Sequence, residues 1–312
     1  MSSGVVSAGV VSARIVSIRL WGGLCNRLFQ IAAVLNYAQR YGLNPIFYNS
    51  LMDNNAHLDN LETCKILIEM IPSICISSDY HLTESQCELL EYSGDDACRF
   101  IELPSPDMTS SKPILLKGYF QSEKYFQNLN PPFLAEFINQ IKISQIDNNT
   151  SARITKKYFI HIRLGDYKGH YLHYLGYKNY LNNSIKYILE REKEKALLES
   201  NIEFIILSNS KDDNEIRTEL HNVDIFQHIK WSINHNLSVI ETLKYMAICD
   251  GGICMNSSFS WFGAYLCKMM GKQINKDRII TMPNKWFNEQ FIPKERYKDI
   301  YPSWNNLVII DI

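Results

Sequence analysis

The chain opens on a run of β-forming residues, passes through two glycines, and continues with apolar residues at helical spacing. "RIVSIRLW" places Ile15, Val16, Ile18 and Leu20 in the β-rich run. Leu24, Leu28, Ile31 and Leu35 then recur at the 3.6-residue period, and Gly42 supplies a helix C-cap. "NPIFY" follows as a second strand, so the start predicts a βαβ unit. Residues 50–110 show no clear period. "KPILLKGYFQSEKYF" predicts a strand, a loop and an aromatic-rich helix, and "LAEFINQIKI" a further helix. "SQIDNNTSAR" is polar enough to link two domains.

After that linker the alternation restarts. "YFIHI" predicts a buried strand ended by Gly165, and a helix is predicted near "YKNYLNNSIKYILEREKEKALL". Strands "IEFIILS" and "HIKWSI", the helix "SVIETLKYMAIC" and the strand "GGICMN" come next. A helix from Trp261 to Met270 and the strand "RIITMP" complete the series. Such alternation predicts an α/β protein with parallel sheets flanked by helices. Two units imply two Rossmann-like halves facing a central cleft, residues 1–150 and 151–312.

Charge adds little to this picture. Lys+Arg total 32 against 33 Asp+Glu, a net charge of -1, so nothing marks the chain for nucleic acid. The apolar fraction of 46% fits a globular chain with an ample core. The 8 cysteines form no CxxC pair, which argues for reduced, mostly buried thiols rather than a zinc or redox site. "MSSGVVSAGVVSA" lacks a basic stretch before its apolar part, unlike a signal peptide. Residues 251–267 are the longest uncharged apolar stretch, but Asn256, Ser257, Ser258 and Ser260 interrupt them. A soluble, cytoplasmic protein with no integral membrane segment is the expectation.

Three segments carry candidate chemistry. Gly22 and Gly23 in "GGLCN" let the backbone turn and approach a ligand, with Asn26 able to donate and accept hydrogen bonds. A plain strand-to-helix turn reads equally well there. In "MNSSFSWFGAYL", four small polar groups before a helix exceed what a cap needs, which favours an anion site. Arg163 follows a strand end, where it could pair with Asp166 on the surface or clamp a pyrophosphate. His170 and His173 have no third metal ligand near them in sequence and read as solvated loop residues.

Together these segments resemble the α-1,2-fucosyltransferases of glycosyltransferase family 11. "GGLCNRLFQ" matches the family's opening motif with Cys25 at a usual glycine, and "GYFQSEKYF" its middle segment. "HIRLGDY" matches its H-x-R-R-G-D-Y motif, "CDGGICMNSSFSWFGAYL" its NSTFSWWGAYL segment, and "PNKWF" its P-x-x-W-F. The matches run in order from residue 18 to about 288.

The resemblance implies a GT-B-like fold and transfer of L-fucose from GDP-fucose, with inversion, to the 2-hydroxyl of a galactose-terminated glycan. It implies no cofactor and no metal. Arg163 would hold the donor's β-phosphate, with His161, Gly22, Gly23, Asn256, Ser257, Ser258, Phe259 and Ser260 also at the donor. Glu241 is the candidate for reading guanine or ribose, and Asn26 lies near the sugar. Asp166 is the first candidate base for the galactose hydroxyl, with His170 behind it.

Three positions depart from the family's pattern. Leu164 stands at a usual second Arg, which takes a positive charge from the donor pocket, and Arg27 is the candidate replacement across the cleft. Asn209 and Thr242 each stand at a usual Asp. The alternatives are a fucosyltransferase with another acceptor, or a non-catalytic relative that binds GDP-sugar or glycan. A nicotinamide-dependent dehydrogenase lacks its glycine fingerprint here.

Overall fold

The computed structural model describes residues 13–48, 51–52, 60–77, 82–91, 98–146, 155–195, 201–234, 236–273 and 276–312. The expected leader and the 150/151 boundary lie outside the described residues. The first half runs β1 (Ile15–Ile18), α1 (Leu24–Tyr41), β2 (Asn44–Pro45), β3 (Phe47–Tyr48), α2 (Asn60–Met70), β4 (Ile76–Ser77), β5 (Glu88–Glu91), β6 (Ile114–Lys117) and α3 (Ala135–Ile146). Its main sheet has the order β2-β1-β6-β5, every pairing parallel. The predicted strand "NPIFY" divides: β2 joins β1, while β3 pairs with β4 in a small sheet of its own. No aromatic-rich helix follows β6, where a single tight turn spans Glu123–Tyr125.

The second half runs β7 (Lys156–Ile162), α4 (Lys178–Glu194), β8 (Ile202–Ser208), α5 (Asp213–His221), β9 (Trp231–Ile233), α6 (Val239–Ile248), β10 (Gly251–Ile253), α7 (Ser258–Gln273), β11 (Ile279–Pro283) and β12 (Leu307–Ile310). Tyr158, Phe159, Ile160 and Ile162 in β7 are at most 2% exposed. A central strand of a parallel sheet is covered on both faces, which is why its sequence is a continuous apolar run. The sheet order is β12-β11-β10-β7-β8-β9, all parallel. The chain therefore winds outward from β7 through β8 to β9, then crosses back to β10 and winds the other way. The switch point falls between β7 and β10, where doubly wound sheets open a crevice for nucleotides at their carboxyl ends.

The GT-B-like pair of parallel α/β halves is thus present, and an aromatic core joins them. Phe29 of α1 lies 4.8 Å from Trp261 and 4.6 Å from Phe262 of α7, ring centre to ring centre. Phe126 and Phe133 from the first half pack on Phe262 as well. The end of the chain returns to the first half. There the Trp304 indole N–H donates to Glu123, and Asp299 pairs with Lys124 at 2.5 Å.

Candidate active site

Arg163 is the first residue beyond β7, so the strand register places it at the switch point. Its Nε and one terminal nitrogen each donate to a different oxygen of Asp166 at 2.9 Å, a bidentate pair. Its guanidinium also lies 5.4 Å from the ring centre of Tyr167. The other contacts of that ring include His173, stacked at 4.7 Å. Planar support from Tyr167 and a fork-to-fork partner restrict the rotamers of an otherwise flexible side chain.

Across the switch point, β10 delivers Asn256, Ser257 and Ser258 to the start of α7. First-turn N–H groups and the helix dipole make such a start attractive to an anion. The polar side chains divide the work. Asn256 is 1% exposed and saturated, donating to the carbonyls of His173 and Trp286 and accepting from the Tyr177 hydroxyl. It ties three segments together rather than pointing into the crevice. Ser260 is equally buried, and its hydroxyl oxygen lies 2.6 Å from His161 Nδ1 while accepting from the Met255 N–H. Ser257 Oγ accepts from the Phe259 N–H, and Phe259 packs on the His161 ring at 5.1 Å. Ser258, the first residue of α7, is half-buried.

Burial, and then the Arg163 charge, lower the His161 pKa to about 3, so the ring is neutral. The same buried neutral histidine makes stability depend on pH. An unfolded histidine titrates near 6.5, so the contribution is whole above that pH. It falls by about 1.4 kcal/mol per pH unit below it, toward the folded value. Denaturant unfolding at pH 7, 6 and 5 should show the decline, with His161→Gln giving a shallower slope. An unchanged slope in that variant would assign the effect elsewhere.

The glycine loop comes from the first half. Gly22 has φ +74°, and a Cβ there would sit 2.6 Å from Asn26 Nδ2. Asn26 Oδ1 accepts from Gln121 Nε2 at 2.7 Å, and the Cys98 thiol donates to Gln121 Oε1. Gln121 follows Phe120, whose φ of +53° is strained for an aromatic residue. Gln30 pairs with both the N–H and the carbonyl of Trp21. Burial pushes up the thiol of Cys25, in the first turn of α1, against a smaller lowering by the Arg163 charge.

Several sequence expectations change here. Arg27 is neither a surface residue nor a cleft cation: it is fully buried on α1, and its Nε donates to the Gly22 carbonyl at 3.1 Å. Arg27→Gln should cost about 1–3 kcal/mol of stability. GDP affinity of the folded protein should stay within about twofold, since the side chain braces the loop from behind. Calorimetry showing an affinity loss that Leu164→Arg restores would return Arg27 to the cleft. Leu164 is 1% exposed and packs into the second half's core, beside a cavity of about 450 Å³. Its side chain is thus buried in that core, while Arg163 next to it pairs with Asp166 outside the core.

Glu241 is exposed and occupied as a helix cap, accepting from the Ser238 N–H while the Ser238 hydroxyl accepts from its own N–H. His170 and His173 are half-buried rather than solvated. His170 Nδ1 accepts from the Leu172 N–H, which places the ring proton on Nε2. Among the described residues no three His, Cys, Asp or Glu are grouped to hold a metal ion, and no helix is long and apolar enough to cross a membrane. The residues that sequence reasoning passed over are Gln30, Gln121 and Tyr167, which lie inside the quoted motifs without an assigned role.

The chain is 26% identical to an alpha-1,2-colitosyltransferase of Escherichia coli, over 87% of this chain and 92% of that protein. Among solved structures, the fucosyltransferase NodZ from Bradyrhizobium is 12% identical with a TM-score of 0.44, covering 82% of this chain and 94% of its own. POFUT1 in complex with GDP is 12% identical with a TM-score of 0.43, over 87% and 98%. The family description "Glycosyl transferase family 11" matches residues 10–307, nearly the whole length. This chain belongs to glycosyl transferase family 11.

Proposed function

We propose that the protein moves L-fucose from GDP-fucose to the 2-hydroxyl of a β-galactoside in a glycan, with inversion and without a metal. The observation that carries this reading is Arg163 at the β7 end, opposite the first turn of α7 across the switch point. Two sources of positive potential converge there on the place of a leaving diphosphate. As the bond between the fucosyl C1 and the β-phosphate oxygen breaks, negative charge grows on that oxygen, and the guanidinium and helix start stabilise it.

The galactose hydroxyl must lose a proton as it attacks. Asp166 takes it in this reading. Its oxygens are engaged by Arg163 before substrate arrives. A diphosphate competing for the same guanidinium releases one of them, so the base is unmasked only when donor is bound. His170 Nδ1 is already taken up by the Leu172 N–H, so Asp166 rather than His170 is the base in this reading.

The name of the E. coli relative favours a second reading, in which the same linkage is formed with a colitosyl group. One experiment separates the two. GDP-fucose and GDP-colitose are offered against a panel of galactose-terminated acceptors, with products read by mass and linkage. Fucosylated product linked at the 2-position, formed undiminished in excess chelator, is the expected result. Colitosyl product alone selects the second reading. Activity abolished by chelator and restored by manganese or magnesium overturns metal independence.

A further inference from the structure

The loop that carries Arg163 is held from outside its own strand. β7 and β8 pair with Ile162 opposite Ser208, so the residue after each strand lies beside the other. From that place Asn209 reaches the Leu164 backbone at two points. Its Oδ1 accepts from the Leu164 N–H at 2.8 Å, and its Nδ2 donates to the Leu164 carbonyl at 3.4 Å. The two groups belong to the peptides on either side of Leu164, whose side chain is itself anchored in the core. Gly165 then turns with φ +58°, and a Cβ there would meet Asn209 Nδ2 at 2.9 Å. The turn brings Asp166 back under the Arg163 guanidinium.

We propose that Asn209 is a positioning residue that aims Arg163 by clamping the Leu164 backbone. The inference rests on the reading of Arg163 as the ligand of the donor's diphosphate. Asn209 acts at one remove: it pins the peptides on either side of Leu164, between the arginine and the Gly165 turn, and thereby sets where the arginine–aspartate pair can form. The chemistry asks for an amide. One planar group must accept at one oxygen and donate from the neighbouring atom, which asparagine does at every pH. A carboxylate in its place could still accept from the Leu164 N–H, but its second oxygen would face the Leu164 carbonyl with no proton between them. A protonated carboxylic acid restores the donor. The asparagine at this position, where the related motif has an aspartate, thus makes the clamp independent of pH.

The test is GDP binding by calorimetry to the full chain. The variants are Asn209→Ala and Asn209→Asp, with Asn209→Ala also combined with Arg163→Ala. Asn209 is exposed, so both single variants should fold, which a melting curve verifies. Asn209→Ala is expected to weaken GDP binding about three- to tenfold in the otherwise native chain and less than twofold beside Arg163→Ala, because it acts through that arginine. Asn209→Asp is expected to bind weakly at pH 8 and to regain affinity as the pH falls to about 4, where an aspartate takes up its proton, each compared with the native chain at the same pH. A purely structural role would not produce that profile. Equal losses in both arginine backgrounds, or an Asn209→Asp deficit that does not change with pH, overturn the inference while leaving Arg163 in place. Native GDP affinity in Arg163→Ala alone overturns the reading of the site, and the clamp's purpose with it.

Discussion

Arg163→Ala is expected to slow sugar transfer by about a hundredfold or more, equivalent to roughly 3 kcal/mol of lost transition-state stabilisation. The loss has two parts. The diphosphate loses its charged hydrogen-bond partner as negative charge grows on the leaving oxygen. Asp166, deprived of its bidentate partner, keeps its negative charge beside the incoming donor. Arg163→Lys should recover little, because an ammonium cannot reproduce the planar fork or the contact with Tyr167. Removing Asp166 as well should return part of the GDP affinity lost in Arg163→Ala without returning turnover. Release of GDP on addition of acceptor measures the rate, and calorimetry with GDP measures the affinity. Turnover close to native in Arg163→Ala would take the residue out of the mechanism.

The largest effect on stability is expected from Phe262→Ala. Phe262 is fully buried, and its ring meets Phe29, Phe126 and Phe133 from the first half and Trp261 and Tyr265 from its own helix. Truncating a phenylalanine in so crowded a place costs about 3–5 kcal/mol, the lost transfer energy plus that of the cavity left behind. A fall of about 10 °C in melting temperature follows for a chain of this size. Because the ring belongs to both halves, the native chain should melt in one transition, and the variant in one transition at lower temperature. GDP affinity should fall too, since the same helix begins at Ser258, the start proposed to hold the donor's phosphates. Two separate transitions in the native chain would show that the aromatic junction does not couple the halves.

The parts of the fold that sequence reasoning reached are those with strong local signals. β7 is a run of β-formers closed by a glycine, and α1 has a clear period ended by Gly42 in the left-handed conformation. β5 and β12 are short edge strands with no run long enough to announce them, and each exists because a neighbour offers hydrogen bonds. The Glu241 cap was legible as S-x-x-E but was overlooked in favour of a ligand role. At the candidate site, Arg163 and the polar residues before α7 stand out in the sequence because they sit at a strand end and a helix start, positions that sequence order reveals.

What the sequence by itself determined is the local grammar: which segments are strands or helices, where the glycines break them, and which chemistry stands at the breaks. Those choices depend on residues a few positions apart. What only the tertiary structure decided is direction and partnership. Arg27 turns inward to the Gly22 carbonyl, and Leu164 turns into the core. Asn256 spends its amide on His173 and Trp286, while Gln121 and Asn209 reach across to loops they never touch in sequence. Apart from that of Arg27, these pairings join residues dozens of positions apart, and they are set by strand register and packing and, for the buried groups, by the free energy of leaving no polar group unsatisfied. A one-dimensional pattern carries the propensity of each segment, but only the packed chain determines which face of it meets which neighbour.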